Sequence, residues 1–306
     1  MKNKTILITG ARGFIGRSVS KFYKSIGFHT YGIGHGHMST DDCLDMGLDY
    51  WNKSEITIDS IRKINVKFDL IVHCGGGGSV GFSVENPYKD FKKTVDSTLE
   101  ILEYIRIYNN NAYFIYPSSP AVHGECNDVR IKESMAINPI SPYGYHKKMV
   151  EDLCQVYSKK YNLKIGVIRL FSVYGIGLKK QLLWDSYIKI KKNEDAEFWG
   201  VGNETRDFIY IDDVIDIMNS LYNLNRPFII INGGSGEKYT INQVVRMIRD
   251  IVSPSTNISF NKVVDTGNPR HYWADIEKLK KIKKNDFVKF KDGLHEYINW
   301  CGQGSG

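Results

Sequence analysis

The sequence predicts an α/β protein built on a doubly wound parallel sheet, with a smaller C-terminal lobe. Three observations predict it. Short apolar runs alternate with helix-length periodic segments through the first half of the 306 residues. The runs are continuously apolar, which fits strands covered on both faces. A glycine-rich turn joins the first run to the first helix. In order, Thr5–Ile8 reads as a buried strand and Phe14–Ile26 as a helix closed by Gly27. His29–Ile33 and Phe68–Val72 are the next strands, the latter followed by four glycines from 75 to 78. Pro87–Tyr108 reads as one long helix, with Phe91, Val95, Leu99, Leu102, Ile105 and Ile107 on an apolar stripe. Ala112–Tyr116 is a strand, Pro142 to about Tyr161 a helix, and Lys164–Phe171 a further strand. Beyond these, Leu182–Lys192, Asp212–Leu224 and Ile241–Val252 are helical, and Phe228–Ile231 is a late strand able to rejoin the sheet.

Composition narrows the function classes. At 42% hydrophobic and 25% charged, the chain is ordinary for a globular protein and can bury a real core. The net charge of +7 suits an anionic small molecule such as a diphosphate. Its lysines are spread out, with small clusters at 179–180, 191–192 and 278–284, whereas a nucleic-acid binder concentrates them. No nucleic-acid partner is expected. The five cysteines have no metal-ligand spacing, so no metal is expected and free thiols in a reducing cytoplasm are the simplest account. Ile6–Ile8 is too short for a signal-peptide core, and no run reaches the roughly 20 apolar residues that span a bilayer. A cytoplasmic protein without membrane contact is expected. Residues 302–306 read as a flexible tail.

The turn Gly10-Ala-Arg-Gly13-Phe-Ile-Gly16 ends the first strand and opens the first helix. Gly10 permits the tight turn, Gly13 a close backbone approach to a pyrophosphate, and Gly16 close helix–strand packing. With Arg12, Phe14 and Ile15 they form a candidate dinucleotide site at a helix N-terminus, in a Rossmann-type domain over 1–171 with returns near 207–232. Residues 172–306 would then form mainly a substrate-binding lobe. NAD-binding sheets place an acid at the end of the second strand to hold the ribose 2′-hydroxyl. Here that strand ends in Gly34-His35. Arg12, helped by His35 and His37, would instead pair with a 2′-phosphate. The cofactor expectation is therefore NADP, with NAD as the alternative.

Ser141-Pro142-Tyr143-Gly-Tyr-His-Lys147 carries the strongest chemical signal. Ser141 is a good N-cap and Pro142 a good first helical residue. Tyr143 and Lys147, four apart, share a helix face. A nearby ammonium and a cationic nicotinamide ring would favour the phenolate, giving a general acid/base for a sugar hydroxyl or carbonyl. Tyr145 and His146 are read as bystanders. Ser118 and Ser119 end the preceding strand, where hydroxyls face the ligand crevice of such sheets.

Together these residues resemble the extended short-chain dehydrogenase/reductase family of nucleotide-sugar epimerases, dehydratases and reductases. Asp69-Leu-Ile-Val-His-Cys-Gly-Gly76 is similar to its D-x-V-x-H-x-A-A stretch beside the cofactor, which implicates Cys74, Gly75 and Gly76. Ser118-Ser-Pro-Ala-Val-His-Gly124 resembles S-S-x-x-V-Y-G and selects Ser119 as the catalytic hydroxyl. Arg169–Gly175 resembles R-x-x-N-x-Y-G, with Ser172 in place of Asn, and Arg206–Asp213 resembles R-D-F-x-x-V-x-D. The resemblance implies that Ser118, Ser119, Ser172, Arg206 and Arg270 touch substrate, the arginines through its diphosphate. It also implies a homodimer through helices near 87–108 and 142–161. Pro120-Ala121 stands where dehydratases carry an acid pair, so dehydration is not expected. Gly75 and Gly76 replace alanines, which predicts extra room near the nicotinamide. The leading expectation is NADPH-dependent reduction of a nucleotide-linked 4-keto-6-deoxy sugar, with hydride to C4 and a proton from Tyr143. The alternative is an NAD-dependent nucleotide-sugar 4-epimerase resembling UDP-glucose 4-epimerase. A non-catalytic dinucleotide sensor is a third reading, disfavoured by the intact Ser119, Tyr143 and Lys147.

Overall fold

A computed structural model describes residues 4–263 and 269–303. In chain order, the elements to the seventh helix are β1 (Thr5–Thr9), α1 (Phe14–Ser25), β2 (His29–Gly34), α2 (Thr40–Asp45), β3 (Tyr50–Lys53), α3 (Ile58–Arg62), β4 (Leu70–His73), α4 (Val80–Glu85), α5 (Pro87–Phe91), α6 (Ser97–Tyr108), β5 (Tyr113–Ser118) and α7 (Pro142–Tyr161). Then follow β6 (Lys164–Leu170), β7 (Ser172–Tyr174), α8 (Gln181–Lys192), β8 (Asp195–Phe198), β9 (Thr205–Arg206), β10 (Phe208–Tyr210), α9 (Ile211–Leu224), β11 (Phe228–Gly233), β12 (Tyr239–Thr240), α10 (Ile241–Val252), β13 (Asn257–Phe260), α11 (Glu277–Lys280) and α12 (Phe290–Gln303).

Seven strands form one sheet in the order β11-β6-β5-β4-β1-β2-β3. The chain runs outward from β1 to β3, then restarts at β4 on the other side. Between β1 and β4 lies the switch point where such sheets bind ligands at their strand C-termini. The sheet is parallel, as the continuous apolar strands require: every residue of β4 and β5 is buried. One face packs Leu7, Ile33, Ile71, Phe114 and Val167 against Ile101, Leu102, Ile105, Val150 and Cys154 of α6 and α7.

The chain forms two compact units. The first comprises residues 1–124, 136–169 and 215–231; the second comprises 125–135, 170–214 and 232–306. The second unit holds three two-stranded pairings, β7 with β10, β8 with β13, and β9 with β12. Asp207 is fully buried there, and its carboxylate accepts hydrogen bonds from the backbones of Ser235, Gly236 and Ala274.

The expected long helix from Pro87 to Tyr108 is interrupted by a π-turn at Lys92–Asp96. Hydroxyls compete for its carbonyls: Ser97 donates to the Lys93 oxygen at 2.6 Å and Thr98 to the Thr94 oxygen at 2.5 Å. Strand β3 carries no sequence signal, because its residues are exposed or half-buried and form no apolar run. Of the expected tail, Gly302 and Gln303 belong to α12, and 304–306 lie outside the described residues, as does Asn268 of the Arg270 motif. Among the described residues no helix is long and apolar enough to cross a membrane.

Candidate active site

The first unit gathers the predicted cofactor residues at the switch point. Gly10 takes φ +64°, and its N–H bonds the Ile33 carbonyl at 3.1 Å. A Cβ on it would lie 2.6 Å from the Cys74 carbonyl, so the turn requires glycine twice over. This places Gly10 between the tip of β2, with Gly34, and the Cys74-Gly75-Gly76 segment after β4. Helix α1 starts from Gly13 with no side chain capping it and no acid in its first turn. Its first N–H groups, on Phe14, Ile15 and Gly16, need an acceptor, and an anion there is favoured by the helix dipole. The residues present fit the pyrophosphate of a dinucleotide.

Arg12, expected to pair with a 2′-phosphate, donates one guanidinium N–H to the His35 carbonyl at 3.1 Å and so also braces the loop after β2. One expectation at this end is corrected. The space at Gly75 is already filled, since a Cβ there would meet Ile56 at 2.7 Å and the Thr9 hydroxyl at 3.0 Å. Only Gly76 leaves ordinary room, with nothing nearer than 3.7 Å. His73, beside this segment, is held by the Thr9 and Ser97 hydroxyls at 2.6 and 3.1 Å. Burial pushes its pKa down to about 3, so it stays neutral.

The catalytic end is built by three consecutive residues of β5 and its exit, which bind three residues on one face of α7. The Pro117 carbonyl accepts from Lys147 Nζ at 2.9 Å. The Ser118 hydroxyl donates to Glu151 Oε1 at 2.6 Å. The Ser119 hydroxyl lies close enough to that of Tyr143 to pull the phenol's pKa down. Positions 143, 147 and 151 recur every four residues, so one stripe of α7 meets one strand end. The helix starts as predicted: Ser141 caps it by accepting from the Gly144 N–H, and Pro142 follows.

Burial sets the electrostatics of the protein groups here. Burial raises the Tyr143 phenol to about 12, and the Ser119 hydrogen bond pulls only partly against it. Lys147 lies 5.6 Å from the Tyr143 ring and 4.7 Å from the Tyr116 ring, and burial lowers its pKa to about 8. Asp90, Cys74 and Glu151 oppose that fall. Without a further positive charge, the phenol is therefore the neutral acid.

Sequence reasoning missed the support beneath these groups. Glu151 receives Arg169 through both carboxylate oxygens at 3.0 and 2.7 Å, and Arg169 also donates to His123 Nε2 at 2.9 Å. His123 in turn donates to the Ala136 carbonyl at 3.0 Å. Ser118, predicted to touch substrate, is buried and committed to Glu151. The His146 ring bonds fully buried Asp90 at 2.6 Å, and Tyr145 is half exposed.

In the second unit, Arg206 donates to the Arg270 carbonyl at 3.1 Å and lies 5.8 Å from the Tyr272 ring. The Arg270 backbone N–H points to Glu125, and its side chain is exposed. Ser172 sits on β7, half-buried, its N–H bonded to the Asp207 carbonyl at 2.9 Å.

Residues 6–231 match the family model described as the NAD dependent epimerase/dehydratase family. A UDP-glucuronate 4-epimerase from Thermodesulfobacterium geofontis is 27% identical, with 96% of this chain and 95% of that protein covered. Among solved structures, a UDP-N-acetylglucosamine 4-epimerase from Methanobrevibacter ruminantium, in complex with UDP-N-acetylmuramic acid, superposes with a TM-score of 0.88 at 25% identity over 99% of both chains. A UDP-glucuronic acid 4-epimerase from Bacillus cereus, in complex with UDP-glucuronic acid and NAD, gives 0.86 at 27% identity over 98% of this chain and 99% of that one. These findings overturn the reductase expectation, because the similar proteins are 4-epimerases. They do not support NADP either: the cofactor in the Bacillus cereus complex is NAD.

Proposed function

The chain belongs to the NAD dependent epimerase/dehydratase family, and on that premise we propose that it inverts C4 of a UDP-linked sugar with NAD retained in the site. One observation carries the reading: the end of β5 holds the Tyr143 and Lys147 head groups and the Ser119 hydroxyl in one cluster. Bound NAD would supply the hydride acceptor and then the hydride donor at C4, and a positive ring charge that favours the phenolate. Tyr143 takes the C4 hydroxyl proton as the ketone forms and returns it when the alcohol is remade on the opposite face. Ser119 hydrogen-bonds the same oxygen and stabilises the charge that develops there. Lys147 spends one N–H on Pro117 and keeps two for the cofactor ribose. The glycine turn and the α1 N-terminus hold the pyrophosphate.

Arg206 and Arg270, with Ser172, are the proposed substrate contacts of the second unit, the arginines facing the diphosphate. A homodimer is supported by exposed Tyr145, Met149 and Val156 on α7 and Leu99 and Ile107 on α6. Five free cysteines support a cytoplasmic location.

The test is direct. Purified protein is denatured to release bound nucleotide, and UDP-glucose, UDP-glucuronate and UDP-N-acetylglucosamine are each incubated with it and followed by NMR. Released NAD and the appearance of a C4 epimer without net cofactor consumption are expected. Oxidation of NADPH by a 4-keto sugar, with no epimer formed from any of the three, would sink the proposal.

A further inference from the structure

The end of the second strand and the residues after it read Gly32-Ile-Gly34-His-Gly36, a run of alternating glycines that the mechanism above does not use. Alternate residues of a strand face the same side, so Gly32 and Gly34 leave the C-terminal half of one face of β2 without side chains. The Trp51 indole of neighbouring β3 fills that space. A Cβ on Gly32 would lie 2.8 Å from Trp51 Cε3, and one on Gly34 would lie 3.1 Å from Trp51 Cη2. The six-membered ring therefore lies across both glycines. Its Nε1–H donates to the Gly36 carbonyl at 3.1 Å, which fixes the ring over the tip of β2. That same tip is held by Arg12 on the His35 carbonyl, and Gly34 adjoins the phosphate turn through Gly10. Trp51 as a whole is half-buried.

Gly34 is the position at which NAD-binding sheets carry the ribose-holding acid. We infer that Trp51 replaces that acid as the adenosine-side determinant of cofactor binding, offering an aromatic surface to the adenosine half where relatives of this sheet offer a carboxylate. The inference rests on the dinucleotide reading of the glycine turn. It explains why a chain without the acid still fits a family that uses NAD. A side chain at Gly34 would press on the ring, its Cβ only 3.1 Å from Trp51 Cη2, so a carboxylate there and the indole compete for the same space.

AMP is the probe for the adenosine half, read by titration calorimetry and tryptophan emission, with NAD titrated in parallel. Trp51 is the only tryptophan of the first unit, the other four being Trp184, Trp199, Trp273 and Trp300. In the wild type, AMP quenches emission. Trp51→Leu removes the quench and weakens AMP and NAD alike by about ten- to a hundredfold, the range that base–aromatic contacts cover. Trp51→Phe keeps a ring over the glycines; it loses the quench and weakens binding less. Gly34→Asp alone weakens NAD binding, and the double variant Gly34→Asp with Trp51→Leu recovers part of it. A quench that persists in Trp51→Phe overturns the inference. So does AMP binding within twofold of wild type in Trp51→Leu with an unchanged thermal midpoint, or tighter NAD binding in Gly34→Asp alone. Wild-type protein that binds neither AMP nor NAD would instead defeat the cofactor reading itself.

Discussion

The two ends of the candidate cofactor site are built on opposite plans. At the catalytic end, each functional side chain has a buried polar partner: Lys147 has the Pro117 carbonyl, Ser118 has Glu151, and Glu151 has Arg169. At the adenosine end, Gly32 and Gly34 leave backbone and space, and a single indole from the next strand fills it. Catalysis needs groups held within a few tenths of an ångström of the reacting atoms, which a hydrogen-bonded network provides. Holding a flat base needs surface, which one aromatic ring supplies. Substitutions at the first end should therefore change rate and stability, and those at the second should change affinity.

The strongest test of that division is Tyr143→Phe. Losing the proton-transfer group should cut turnover by about 10²–10⁴-fold while leaving NAD affinity near wild type. Calorimetry beside a rate assay separates the two. Unchanged turnover would remove Tyr143 from the mechanism.

Next comes Glu151→Gln. The Arg169–Glu151 pair is nearly inaccessible, at 4% and 6% exposure. Removing the counter-charge from a buried guanidinium should cost about 3–5 kcal/mol of stability, read as a fall in the denaturation midpoint. The Ser118 contact goes through the same carboxylate, so turnover should fall as well. A variant as stable as wild type would mean that the network does not brace the catalytic end.

The pH response sharpens the same contrast. Burial lowers Lys147 to about 8, so its ammonium is present below that pH and lost above it. The value of kcat/KM should fall about tenfold per unit once pH rises past that point. Asp90 raises the Lys147 pKa, so Asp90→Asn should move the fall to lower pH. AMP binding, which belongs to the other end, should not follow this titration.

The same contrast marks how much could be read from the sequence. Local signals were legible: the glycine turn, the Ser141-Pro142 helix start, the Tyr143–Lys147 spacing, and the continuous apolar strands of the sheet. Each depends on residues within a few positions of one another. The supports were not legible, because Glu151 and Arg169 are 18 residues apart, His123 and Arg169 are 46, and Asp90 and His146 are 56. Only the fold brings them together. Strand β3 was hidden by its half-polar edge character, and Trp51 with it. The reductase expectation shares that origin: the missing acid at Gly34 and the nearby Arg12 favour NADP from sequence alone, whereas the structure sets an indole from another strand against Gly34.

The smallest expected effect tests that last point. If Arg12 were a 2′-phosphate clamp, Arg12→Gln would weaken NADP far more than NAD, since a charge-assisted bond to phosphate contributes about 1.5–3 kcal/mol, a factor of roughly ten or more. Its guanidinium is instead joined to the His35 carbonyl and crowds Gly36. Both cofactors should then lose affinity together, through a looser loop after β2, and their ratio should shift by less than about threefold, well under the factor of roughly ten or more that a lost phosphate contact would give. Paired calorimetric titrations of NAD and NADP on wild type and Arg12→Gln measure that ratio. A selective loss of NADP would return Arg12 to the role of phosphate reader. The two ends would then share a plan, each recognising its ligand through a dedicated charge.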